Sequence, residues 1–219
     1  EYYGALNGVG FAFFMNFNAN NITKEELPAA VDYLNRSLNE DPTYYRAYNN
    51  LGLIYKNLGQ IDLAEKNFNF AISSSQQAHA VGYWKPYLNM GSLRAERNDY
   101  EVAAKYYLKA AELAPDDRFV NSILGGFFYD NEKYVQAIIF YTKAVQLGTK
   151  DLGALERFAD SYYMLGQLNE AKTMAENILL LYPNSKSTIL MLAAIYNDTG
   201  MTKEADEMTK KAETLPNEN

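Results

Sequence analysis

MGSLRAERNDYEVAAKYYLKAAELAP, residues 90–115, reads as two helices around a short turn at Arg97-Asn98-Asp99, stopped by Pro115. Proline has no backbone N–H with which to continue a helix. Its markers are Gly91 and Arg94 on the first helix, and Ala103, Tyr107 and Ala110 on the second. The same order recurs without gaps elsewhere. Upstream lie Gly52, Tyr55, Ala64, Phe68 and Ala71; downstream lie Gly125, Phe128, Ala137, Tyr141 and Ala144. Two further blocks follow, with Ala159, Tyr162, Ala171, Ala175, Ile178 and Pro183, then Ala193, Tyr196, Ala205, Thr209 and Ala212. From Gly91 to Gly125 to Ala159 to Ala193 the step is 34 residues each time. A small residue on each helix lets two helices cross closely, and the large aromatic residues fill the space between units. One such unit cannot bury its apolar face alone, so several must stack.

The period and the residue pattern resemble the tetratricopeptide repeat over nearly the whole chain. That resemblance implies an all-α fold, a right-handed α–α superhelix (solenoid) of about six helix-turn-helix repeats. The expected organisation is a single solenoid over 1–219, with repeats at about 1–44, 45–83, 84–117, 118–151, 152–185 and 186–219. The first repeat is degenerate. Ala30, Leu34 and Ser37 fit a second helix, but the small residue of its first helix would fall near Asn18. An insertion restores the pattern, with Gly8 and Phe11 as the small and aromatic positions and 16–22 as a long loop. The step from Gly52 to Gly91 is 39 residues, and the excess falls in 73–82, read as a lengthened second helix and linker. The Lys- and Glu-rich end, 202–219, reads as a polar cap.

Composition excludes several kinds of function. Hydrophobic residues are 48% and charged residues 21%, as in ordinary folded chains. A net charge of −7 with no basic run disfavours binding to nucleic-acid phosphates. Cysteine is absent, so thiolate metal sites, disulfides and a cysteine nucleophile are excluded, and the compartment stays open between cytoplasm and a bacterial envelope. The apolar run 9–15 is too short to span a bilayer and lacks the flanks of a signal peptide. The chain begins with Glu1 rather than Met, which suggests a processed or excised protein. A single histidine, His79, cannot build a histidine metal site, and Gly125-Gly126 belongs to the repeat rather than to a phosphate loop. The expectation is therefore a protein with no enzymatic activity and no cofactor.

What the resemblance adds is a surface. In this family the first helix of each repeat lines a concave groove that holds a peptide or partner helix. Carried over position by position, the groove residues are Arg46, Asn49, Asn50 and Lys56, then Lys85 and Asn89. They continue as Phe119 and Tyr129, then Glu156, Asp160 and Tyr163. Asparagine can bond both the N–H and the C=O of an extended backbone. The basic residues cluster early and the acidic ones late, so the expected groove is polarised, with a partner's acidic or carboxylate end toward Arg46 and Lys85. The carboxylate clamp of chaperone-binding members is broken, because Asn50 and Lys85 match it but Ala5, Val9 and Asn89 do not.

The leading expectation is a protein–protein interaction scaffold. The alternatives are an assembly subunit of a bacterial envelope complex, of the pilus or secretion type, and the recognition domain of a larger enzyme. A patch formed by Phe11, Phe13, Phe14 and Phe17 would favour the assembly reading, and self-association is left open. High Asn and Tyr content suggests a low-GC bacterial source.

Overall fold

The computed structural model describes residues 2–19 and 23–216. Among them are twelve α-helices, one 3-10 turn at Lys24–Glu26 and no strand. The chain divides into two compact units, Glu1–Ala114 and Pro115–Asn219. The first holds α1 (Tyr2–Asn18), α2 (Leu27–Glu40), α3 (Tyr45–Asn57), α4 (Ile61–Gln77), α5 (Lys85–Glu96) and α6 (Tyr100–Leu113). The second holds α7 (Arg118–Asp130), α8 (Tyr134–Gln146), α9 (Leu152–Met164), α10 (Leu168–Leu181), α11 (Lys186–Asp198) and α12 (Thr202–Glu213). In both units the helices pack in consecutive antiparallel pairs, first helix against second.

The pairing rests on one contact repeated. A Cβ added at Gly52 would lie 2.4 Å from the Phe68 ring, one at Gly91 2.8 Å from Tyr107, and one at Gly125 2.6 Å from Tyr141. Each glycine is thus the floor on which an aromatic ring of the second helix rests. Phe68 is fully buried and Tyr141 nearly so. Burial of such a ring contributes about 1.5–3 kcal/mol. Ala64, Ala103, Ala137 and Ala171 are also fully buried and bring the second helix equally close.

In the first repeat this floor is Gly10, not Gly8. A Cβ at Gly10 would meet Leu34 at 2.7 Å, whereas nothing lies within 4 Å of one at Gly8. The aromatic position moves with it to Phe13, whose ring stacks on Tyr33 at 5.9 Å. Nor does the expected loop begin at Asn16, since α1 continues through Asn18; Asn20, Asn21 and Ile22 lie outside the described residues. The phenylalanine patch does not form. Phe14 is buried with Leu27, Leu34 and Leu51, and Phe13 and Phe17 pack against that cluster, so Phe11 alone is counted among the exposed residues. Downstream, α4 runs on to Gln77 and a linker to Trp84 takes up the remaining extra residues.

Turns between paired helices share one backbone feature. Gly59, Gly166 and Gly200 hold φ of 79°, 72° and 76°, and the same place is taken by Asn98 at 61° and Glu132 at 58°. Asparagine tolerates this left-handed region, but glutamate gains nothing from it. Glu132→Gly is therefore expected to stabilise the chain by about 0.5–1 kcal/mol, the relief of strain exceeding the added freedom of the unfolded chain. A thermal melt followed by circular dichroism checks this, and a lower midpoint would refute it.

Candidate functional site

The positions expected to form a groove all fall on first helices, and most of them are engaged with side chains of neighbouring elements. In the first unit, the Asn50 carboxamide donates to Asn7 Oδ1 of α1 at 2.9 Å. Asn89 of α5 donates to Asn49 Oδ1 at 2.8 Å. Asn49 is only 3% exposed, so its side chain lies beneath the surface that a partner would touch. Lys56 Nζ sits 2.6 Å from Glu96 Oε1 and donates to Ser92 Oγ at 2.9 Å. These side chains link α1, α3 and α5 side by side.

Arg46 and Lys85 differ. Both are exposed, and neither forms an ion pair among the described residues. Arg46 lies over the Tyr45 ring with its guanidinium 5.8 Å from the centroid. Tyr45 in turn meets Tyr83 edge-on at 4.6 Å, and Tyr44 meets Tyr3 at 4.8 Å. Four tyrosines thus run across the starts of α1, α3 and α5, with the Arg46 guanidinium against Tyr44 and Tyr45. Burial pushes the Tyr83 hydroxyl pKa well up, with the nearby Arg46 charge opposing, so the ring stays neutral at any physiological pH. These tyrosines were missed in the sequence because they stand at and just before helix starts, outside the repeat's signature positions. The doublet Tyr44-Tyr45, followed one repeat later by Tyr83, was the available signal.

In the second unit the first helices are capped and laced. Asp117 Oδ1 accepts from the backbone N–H of Phe119 and Val120, Asp151 from Ala154, and Ser185 from Thr188. Such caps stabilise a helix by about 1 kcal/mol each. The first helices α3 and α5 of the other unit start after Tyr44 and Trp84, with no side-chain cap. Between helices, Tyr129 donates to Asp160 Oδ2 at 2.7 Å and Tyr163 donates to Asp198 Oδ2 at 2.6 Å. Burial first, and the Asp160 hydrogen bond second, hold the Tyr129 pKa far above its ordinary value. Glu156 accepts from Ser185 at 2.7 Å, from Thr188 at 2.8 Å and from Ser187. Arg157 lies over the Tyr129 ring at 5.6 Å and 3.5 Å from Asp130. Phe119 stands 55% exposed at the start of α7.

Among the described residues no group of three or more His, Asp or Glu is arranged to hold a metal ion. His79 is exposed in the linker after α4 with a φ of 47°. No described helix is long and apolar enough to cross a membrane.

Family models described as tetratricopeptide repeat match residues 33–66, 88–151 and 154–185. Superkiller protein 3 of Schizosaccharomyces pombe is 22% identical over 197 residues, which is 86% of this chain and 13% of that protein. Human protein O-mannosyl-transferase TMTC3 is 26% identical over 200 residues, 86% of this chain and 22% of that protein. The chain therefore spans less than a quarter of the length of either relative. The structure described as a functional characterisation of Pseudomonas aeruginosa pilF superposes with a TM-score of 0.74 at 18% identity, covering 96% of this chain and 90% of that one. YrrB, described as a TPR protein with an unusual peptide-binding site, gives 0.71 at 18% identity, covering 82% and 90%. At such identities these likenesses speak for the fold.

Proposed function

Because this chain belongs to the tetratricopeptide repeat family, whose members are generally non-catalytic protein–protein interaction scaffolds, we propose that it holds an acidic peptide or helix of a partner against the first helices of its first unit. The observation that carries this reading is the pair Arg46 and Lys85. Both are exposed and free of ion pairs among the described residues; Arg46 lies over the tyrosine row and Lys85 opens α5 two residues after Tyr83, in a chain whose net charge is −7. Two uncompensated cations on an otherwise acidic molecule draw an anionic segment to that face and set its orientation. The tyrosines supply flat, stiff contact area with little conformational entropy to lose. The fold likeness to a repeat protein described as having a peptide-binding site adds to the reading.

Fluorescence anisotropy with labelled glutamate-rich and lysine-rich peptides of equal length tests it. The glutamate-rich peptide is expected to bind, and Arg46→Glu with Lys85→Glu weakens it about tenfold or more and flattens its salt dependence. Unchanged affinity and unchanged salt dependence in that variant would sink the proposal. Asn49→Ala serves as a contrast, since it is expected to lower stability without specifically weakening the peptide.

A further inference from the structure

Three aromatic doublets open the first helices of the first unit. Tyr2-Tyr3, Tyr44-Tyr45 and Tyr83-Trp84 stand eight and seven residues before the floor glycines Gly10, Gly52 and Gly91. In the second unit the earlier of these two positions holds Asp117, Asp151 and Ser185, each of which caps its helix. Helices α3 and α5 start without such a cap, at a cost of about 1 kcal/mol each. Residues kept against a local rule of this kind point to a use outside the fold. The rings form one continuous row. Tyr3 meets Tyr44 at 4.8 Å, Tyr44 meets Tyr45 at 6.2 Å, and Tyr45 meets Tyr83 at 4.6 Å. The residue after each doublet is Gly4, Arg46 or Lys85, so the two exposed cations occupy one repeat position on neighbouring helices.

Equivalent positions on packed neighbouring helices lie about 8–10 Å apart. Asn89 bonds Asn49 directly, so α5 and α3 are neighbours of that kind. This spacing selects a conformation for an acidic segment that meets both cations. In a β-strand, side chains on one face recur every second residue, at about 7 and 13 Å, and neither distance fits. In polyproline II they recur every third residue, at about 9 Å, which does fit. Aromatic-lined surfaces are also where proline-rich segments in this conformation dock, with little entropy left to lose. An α-helix spans a similar distance with residues seven apart, so the two occupants differ in sequence and are separable by experiment. We propose that the partner segment is proline-rich and in the polyproline II conformation. Acidic residues three apart face Arg46 and Lys85, and prolines sit on the tyrosine row. At α1 the same position is Gly4, so two acidic residues complete the pairing. The proposal rests on the acidic-peptide reading and names the conformation and spacing of that peptide.

Fluorescence anisotropy with three labelled peptides, each carrying four glutamates, tests it on the whole chain. The first repeats Glu-Pro-Pro four times. The second has the same composition as two copies of Glu-Glu-Pro-Pro-Pro-Pro, so no two glutamates are three apart. The third is an alanine-rich helix with its glutamates paired seven apart. The first is expected to bind about fivefold or more tighter than either of the others. Lys85→Gln removes one cation of the pair, and the first two peptides then bind alike. Lys85 is exposed and makes no ion pair among the described residues, so the helical circular dichroism of this variant stays that of the wild type. Equal binding of the first two peptides to the wild type overturns the proposal, as does an advantage that survives Lys85→Gln. So does a helical peptide that binds as tightly as the first; in each of these cases the acidic-peptide reading still stands. If none of the three binds, that reading fails as well.

Discussion

Gly52→Ala lowers stability by about 1–3 kcal/mol, although alanine ordinarily favours a helix interior over glycine by roughly 1 kcal/mol. The sign is set by the added methyl group, which would lie 2.4 Å from Cε1 of Phe68. Phe68 is fully buried, packed with Ala64, Met90 and Leu93, so its ring has nowhere to retreat. Denaturant unfolding of Gly52→Ala and Gly4→Ala side by side isolates the contact. Nothing lies within 4 Å of a Cβ on Gly4, and that variant gains up to about 1 kcal/mol. Phe68→Leu in the Gly52→Ala background makes room for the methyl group, giving a favourable coupling of about 0.5–3 kcal/mol in a double-mutant cycle. If Gly52→Ala were as stable as Gly4→Ala, the close crossing of α3 and α4 would not be what holds that helix pair.

Tyr141→Ala is the larger loss in the second unit, about 3–5 kcal/mol. The ring is 1% exposed, rests on Gly125 and lies 5.9 Å from the Phe158 ring, so its removal leaves a cavity that rigid helices cannot close. Tyr141→Phe keeps the ring and loses only the hydroxyl interaction with Arg157, at about 1 kcal/mol. The two variants also separate by pH. Burial pushes the Tyr141 hydroxyl up to about 12, with the Arg157 charge opposing, whereas an unfolded tyrosine ionises near 10. A folded-state value above the unfolded one means full stability below pH 10, lost progressively as pH rises toward 12. Replacement by phenylalanine removes this share of the alkaline decline. Melting midpoints of wild type and Tyr141→Phe that fall in parallel between pH 10 and 12 would refute the assignment.

The helix pairs were legible because their determinant is steric and local in pattern. Gly52, Gly91 and Gly125 recur at fixed distances from the aromatic residues that rest on them, so spacing alone locates both helices. The first repeat lacked that guide. Gly4, Gly8 and Gly10 crowd one helix, the residue lying on the floor is Leu34 rather than an aromatic, and extra residues between α1 and α2 break the register. The contacts with Leu34 and the Ala30 backbone distinguish Gly10 from Gly8. The candidate site was legible in part. That Tyr129, Glu156, Asp160 and Tyr163 sit on first helices follows from the repeat. That Tyr129 bonds Asp160 while Tyr163 bonds Asp198 depends on the separation of neighbouring helices, and a period in sequence does not supply it. The same holds for Asn49, whose burial comes from α5 packing against α3.

The hydroxyl-to-carboxylate links of the second unit have a mechanical consequence. Tyr129 ties α7 to α9 and Tyr163 ties α9 to α11, so the first-helix edge resists stretching. Among the described residues no hydrogen bond or ion pair joins α8 to α10, each of which packs instead on the first helix that follows it, α9 or α11. A bending force on this unit therefore spreads its second helices like the ribs of a fan, hinged on the tyrosine-laced edge.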